Sequence, residues 1–102
     1  MFCKDAEWSY PLFEDTKVKG FGIGWGCTPE DARSVTEGKV AQGNFDPSKL
    51  LCTPQQIEAE TINMLNRFGP QNHIANLGHG ILPNVPVEHA QAFVETIKNY
   101  RY

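Results

Sequence analysis

The chain has 102 residues, of which 40 % are hydrophobic and 21 % charged, with a formal net charge of −3. That length points to one domain, and the balance is that of a globular chain rather than a disordered one. An acidic balance with no block of Lys and Arg argues against a nucleic-acid partner, and no apolar run approaches the roughly 20 residues that span a bilayer.

Taken in order, Met1 to Lys4 reads as a strand, and Met1-Phe2-Cys3-Lys4-Asp5 lacks the charged-then-apolar layout of a signal peptide. Residues 8–17 are ambiguous: Pro11 fits the first turn of a short helix, but the periodicity is weak. Phe21-Gly22-Ile23-Gly24-Trp25 reads as a strand, glycine-rich enough for something to pack closely on it. Thr28-Pro29-Glu30-Asp31 is a helix start, with a capping threonine, proline at the first position and an acid three residues after the cap. Its helix is expected to run to about Thr36. Lys39–Gln42 reads as a short strand and Gly43-Asn44-Phe45-Asp46-Pro47 as a loop by composition.

The same start recurs at Thr53-Pro54-Gln55-Gln56. Behind it Ile57, Thr61, Leu65 and Phe68 share one helical face, with Met64 beside them, and Gly69-Pro70 ends the helix. His73–Leu77 reads as a buried strand. A last helix is predicted from about Pro86, with Ala90, Phe93, Val94 and Ile97 as its buried stripe and Val85 at the cap position, where no side-chain oxygen is on offer. The alternation predicts an α/β fold: four βα units with parallel strands joined by right-handed crossovers, half of a (β/α)8 barrel of the TIM type. Three widely spaced cysteines, Cys3, Cys27 and Cys52, with no Cys-x-x-Cys, fit a reducing compartment and the role of small apolar residues.

The chemistry concentrates at the end of the His73–Leu77 strand. Gly78 and Gly80 flank His79, so the strand presents one imidazole in an uncrowded turn. Parallel α/β folds gather ligands at the carboxyl ends of their strands. His79 is there either a turn residue bonded to local backbone or a ligand-binding group. His73 opens its strand at the far end and reads as structural, and His89 as an exposed residue of the last helix. Arg33, Arg67 and Arg101 fall on or near helices, where solvated surface is the expected role.

Gly43-Asn44-Phe45-Asp46-Pro47, then Phe68-Gly69-Pro70, then Ile74-Ala75-Asn76-Leu77-Gly78-His79-Gly80 resemble the C-terminal part of the uroporphyrinogen decarboxylase family, and Pro86–Val94 is similar to that family's last helix. The resemblance spans residues 25–99. It implies a cofactor-free carboxy-lyase of haem and chlorophyll synthesis, cytoplasmic or plastidic with the cytoplasm expected for this chain, and a homodimeric (β/α)8 barrel that removes carbon dioxide from the four acetate side chains of uroporphyrinogen to give coproporphyrinogen. It also implies that His79, with Gly78 and Gly80, binds substrate. The family's arginine-rich substrate loop, its ring-binding aspartate and a tyrosine near the site match nothing among these residues. Where the family has a Gly-Leu-Asp-Trp-Thr pattern, Gly24 and Gly26 flank Trp25, and its Gly-His pair is replaced by Glu7-Trp8-Ser9-Tyr10.

Residues 1–102 are accordingly expected to be a C-terminal half-barrel, a fragment or truncated homologue that binds porphyrinogen when the barrel is completed. Its expected partners are further copies of itself or an N-terminal half, not nucleic acid or membrane. A non-catalytic half-barrel binding or assembly module is the alternative. The zinc-dependent cobamide methyltransferases are a more distant one, because Met1 stands where their His-x-Cys motif needs its histidine and His79 where a later cysteine is needed.

Overall fold

The computed structural model describes residues 1–102. Both Thr-Pro starts cap helices as their residue types dictate. Thr28 Oγ1 accepts from the Asp31 N–H at 3.1 Å, and Pro29 opens α1 (Pro29–Val35). At Thr53 the cap is reciprocal: Thr53 Oγ1 accepts from the Gln56 N–H at 3.2 Å, and Gln56 Oε1 accepts from the Thr53 N–H at 3.1 Å. Helix α2 follows over Pro54–Phe68 and buries Ile57, Thr61, Met64, Leu65 and Phe68, the face its spacing predicts. It stops at Gly69, whose φ of +82° lies in the left-handed region that favours glycine.

Three strands, β1 (Gly20–Gly22), β2 (Val40–Phe45) and β3 (His73–Leu77), form a parallel sheet in the order β1-β2-β3. With the helices this is an α/β fold. The first stretch contributes a single parallel bridge, Phe2 to Gly22, in place of a strand. Residues 7–13 form a 3-10 helix that buries Tyr10. The Tyr10 hydroxyl donates to the Gly22 carbonyl at 2.7 Å and accepts from the Cys3 N–H at 3.1 Å, while its ring stacks on Phe21 with centroids 4.3 Å apart. One phenol thus fastens the N-terminal stretch to the first strand.

Two boundaries differ from expectation. Strand β1 ends at Gly22, because the chain turns between Gly24 and Cys27, whose N–H donates to the Gly24 carbonyl at 3.1 Å. Strand β2 runs on through Gly43-Asn44-Phe45, since these residues pair with Ala75, Asn76 and Leu77 and Phe45 packs on Phe93 at 4.8 Å. Tertiary pairing overrides the loop-like composition there. Only Asp46-Pro47 leaves the sheet, opening a 3-10 helix over Pro47–Leu51 that Asp46 caps through the Ser48 N–H at 2.9 Å.

The last helix, α3 (Val87–Asn99), is capped by Pro86 rather than Val85, with no side-chain bond. Of its expected stripe Phe93 is buried, Ala90 and Ile97 are half-buried, and Val94 is 49 % exposed. Successive helical residues point about 100° apart, and α3 is covered along one line only. Strand β3 departs from expectation in the same way. His73, Ala75 and Leu77 face the helices, but Ile74 is 52 % exposed. Across the sheet Phe2, Gly22, Gln42 and Ile74 form one row of partners on that uncovered side. The molecule measures 41 × 30 × 19 Å, a sheet with one helical layer. Its accessible surface is 6358 Å², whereas a closed monomer of this mass exposes about 5,800 Å².

Candidate functional site

The carboxyl ends of the strands meet where the sequence places its histidine. The Gly78 N–H donates to the Phe45 carbonyl at 2.7 Å, continuing the β2–β3 ladder one residue past β3. Gly78 is buried, and a Cβ there would lie 2.7 Å from Trp25 Cα and 2.8 Å from Trp25 Cβ. Only glycine lets the turn after β1 rest on the end of β3. That turn is held from β2 by Asn44, which is 7 % exposed and whose side-chain amide donates to the Gly24 carbonyl at 3.0 Å and to the Cys27 carbonyl. Gly80 lies in open space, so it serves as clearance rather than close contact.

The result is a cleft of about 450 Å³ lined by Phe2, Glu7, Gly24, Trp25, Gly78 and His79, among others. Trp25 is 55 % exposed. His79 is exposed, and its ring has no hydrogen-bond partner in the chain, unlike the rings of His73 and His89. Glu7 is half-buried, and its Oε1 accepts from the Gly24 N–H at 2.8 Å. It is the site residue that sequence reasoning missed, and a contact across 17 positions leaves no local signal. Its negative charge, after burial itself, helps push the neighbouring Cys27 thiol up to about 11. Cys3 and Cys52 are exposed rather than core residues, because the segments carrying them lie outside the layer between sheet and helices.

The remaining candidates serve the fold. His73 stacks on Phe68 at 4.1 Å, and its Nε2 donates to the Gly43 carbonyl at 2.6 Å. Burial holds its pKa below the ordinary value, aided by the charge of Arg33 and opposed by the Gly43 bond. His89, expected to be exposed, is half-buried and bonds the Leu50 carbonyl, which ties α3 to the 3-10 helix before α2. Arg33 also departs from expectation. Its guanidinium donates to the Phe68 carbonyl at 2.7 Å, the Asn72 carbonyl at 2.9 Å and the Gln71 carbonyl, so it staples the loop between α2 and β3. Arg67 pairs with Glu30 at the surface and Arg101 bonds the carbonyls of Lys98 and Tyr100. No arginine lines the cleft, and no three His, Cys, Asp or Glu side chains converge as metal ligands would. No helix is long and apolar enough to cross a membrane.

The family model described as uroporphyrinogen decarboxylase (URO-D) matches residues 1–100. Curated relatives with that name include one from Flavobacterium johnsoniae, 42 % identical over 86 residues, covering 83 % of this chain and 25 % of the relative. One from Christiangramia forsetii is 46 % identical over 81 residues, covering 78 % of this chain and 24 % of the relative. One from Edwardsiella ictaluri is 47 % identical over 99 residues, covering 95 % of this chain and 28 % of the relative. The chain thus spans about a quarter of the length of the curated relatives it matches. With nearly its whole length matched by the family model, the chain belongs to the uroporphyrinogen decarboxylase family.

Proposed function

We propose that residues 1–102 are the C-terminal half-barrel of a uroporphyrinogen decarboxylase domain and carry part of its substrate site. In this reading His79 binds substrate, with Gly78 seating the adjoining turn and Gly80 leaving room beside it. The observation that carries it is an unpartnered imidazole at the rim of a cleft where parallel strands end.

The chemistry fits such a mouth. Protonation of a pyrrole carbon makes the ring an electron sink for the acetate carboxylate that departs as carbon dioxide. The protein must hold the anionic side chains and stabilise the cationic ring, which is work for preorganised polar groups. His79 donates to a peripheral carboxylate, and Trp25 offers an exposed ring face to the macrocycle. Arg33, Arg67 and Arg101 are engaged elsewhere, and Lys4 is the one lysine or arginine that lines the cleft, so in this reading the chain alone is short of cations for the remaining carboxylates and is inactive as a decarboxylase.

The uncovered sheet face calls for a partner. The surface beyond that of a closed monomer amounts to roughly 600 Å², close to one side of a standard protein interface. The remainder of the barrel, or a second copy standing in for it, would cover Phe2 and Ile74. The reading places the protein in the cytoplasm, where the reducing setting suits its free thiols.

The test is an anaerobic titration of the chain with coproporphyrinogen and uroporphyrinogen, repeated with His79→Ala. The reading expects saturable binding that the substitution weakens about tenfold, the worth of one charge-assisted hydrogen bond. Binding unchanged by His79→Ala removes that residue from the site. Absence of binding by both chains, together with capture of an intact protein partner, favours the non-catalytic module.

A further inference from the structure

A second hollow lies on the other side of the Trp25–Cys27 turn. Those three residues line both it and the cleft, so the turn is the wall between them. Its volume is about 190 Å³, below the roughly 300–1,000 Å³ of drug-sized sites and too small for a tetrapyrrole. Asn44 and Asp46 enter it from the end of β2, Lys49 from the 3-10 helix that follows, and Glu60, Asn63 and Arg67 from α2.

The lining is dipolar. Glu60 and Arg67 lie seven positions apart, nearly two full turns, so they share a face of α2 with about 10 Å between their Cα atoms. At the Glu60 end three oxygens have no partner. Asn44 is 7 % exposed, and its Nδ2 is engaged by the Gly24 and Cys27 carbonyls. Its Oδ1 accepts from nothing in the chain. No partnerless side-chain oxygen or nitrogen is sealed from the surface, so this oxygen opens onto the hollow that Asn44 lines. Asp46 takes the Ser48 N–H and hydroxyl on Oδ1 alone, which leaves Oδ2. Glu60 takes Lys49 Nζ on Oε2 at 2.8 Å, which leaves Oε1. At the other end Arg67 pairs with Glu30 through Nε and Nη2, so Nη1 keeps both of its N–H groups. Glu30 itself does not line the hollow.

We propose that this hollow binds a small zwitterion, an amino acid whose ammonium and carboxylate are separated by a short chain. The ammonium brings three N–H donors to Asn44 Oδ1, Asp46 Oδ2 and Glu60 Oε1, and the carboxylate accepts from Arg67 Nη1. A plain anion would face the two carboxylates at one end, and a plain cation the guanidinium at the other. A ligand with both charges satisfies both ends at once. This site is separate from the tetrapyrrole cleft, and neither reading depends on the other.

The experiment is an NMR titration of the isotope-labelled chain with glycine, 4-aminobutyrate and 5-aminopentanoate, with butyrate and butylammonium as comparators that each lack one charge. Saturable amide shifts are expected at Gly26, Asn44, Asn63 and Arg67, with a Kd on the order of 1 mM for the two longer amino acids. Glycine, which cannot reach both ends, and the two comparators should bind about tenfold more weakly, each forgoing one set of charge-assisted contacts. Arg67→Gln and Glu60→Gln should each weaken 5-aminopentanoate about tenfold. Both should leave the urea midpoint in place, because the ion pairs they break are exposed and such pairs add little to stability. Butyrate or butylammonium binding as tightly as 4-aminobutyrate would reduce the hollow to a site for one charge and overturn the proposal. Unchanged binding in Arg67→Gln or Glu60→Gln, or no saturable shift with any of the amino acids, would overturn it as well.

Discussion

Gly78 and Gly80 flank the same histidine, but the structure gives them opposite tolerances. A Cβ at Gly78 meets the Trp25 backbone nitrogen and, at 2.7 Å, Trp25 Cα, where ordinary contact begins at 3.4 Å, so the backbone of the Trp25 turn must retreat by more than 0.7 Å. That turn is tied down by Asn44 and by the Cys27 N–H, and the Gly78 N–H is itself bonded to Phe45. The strain cannot relax into a flexible side chain. Overpacking of this kind costs about 1–3 kcal/mol, so Gly78→Ala should lower the urea midpoint clearly with little change in slope. Gly80→Ala meets no atom within 4 Å and should stay within about 0.5 kcal/mol of the parent. Equal losses for the two variants, or a larger loss at Gly80, would refute the account of how the turn and the strand end fit together.

Arg33→Ala strips donors from the carbonyls of Phe68, Gln71 and Asn72. It should cost about 1–3 kcal/mol in urea unfolding, with lysine recovering only part; no loss would mean that the guanidinium is not a staple. Because burial holds His73 below its ordinary pKa, the unfolded chain binds more protons once pH falls through about 6.5. The contribution of His73 is therefore complete above that pH and lost as pH drops towards the folded value. His73→Phe, which keeps the stack on Phe68, should flatten the stability profile between about pH 7 and 5, and an unchanged slope would exclude His73 as its source. The open sheet face should make the chain elute larger than 11.4 kDa in size-exclusion chromatography at micromolar concentration, and a monodisperse monomer would contradict the need for a covering partner.

What the sequence made legible was local. The Thr53 cap, the one-sided stripe of α2 and the Gly69 stop lie within a few residues of each other, so the bounds of α2 follow from them. Strand β3 is legible because glycine and proline precede it and Gly78 ends it. Gly43-Asn44-Phe45 was not legible as strand, since a neighbouring strand 32 residues away supplies its hydrogen bonds. Arg33, Asn44 and Glu7 act across 17 to 39 positions, and no periodicity encodes such contacts. Val94 and Ile74 carry apolar side chains that the pattern assigns to a core, but the layer that would bury them is not formed by these residues. Gly24 reads in sequence as a lost polar group, and in the structure its N–H donates to Glu7 Oε1 at 2.8 Å, a contact the sequence does not signal.

The most direct measurement is an amide NMR titration of the isotope-labelled chain with coproporphyrinogen under anaerobic conditions. A tetrapyrrole mouth at the carboxyl ends of the strands predicts that the largest shifts fall on Glu7, Gly24, Trp25, Gly78 and His79, with the groove between α2 and α3 near Ile62 and Thr96 unaffected. Shifts confined to that groove, or to Lys19 and Val40 at the opposite end of the sheet, would contradict it.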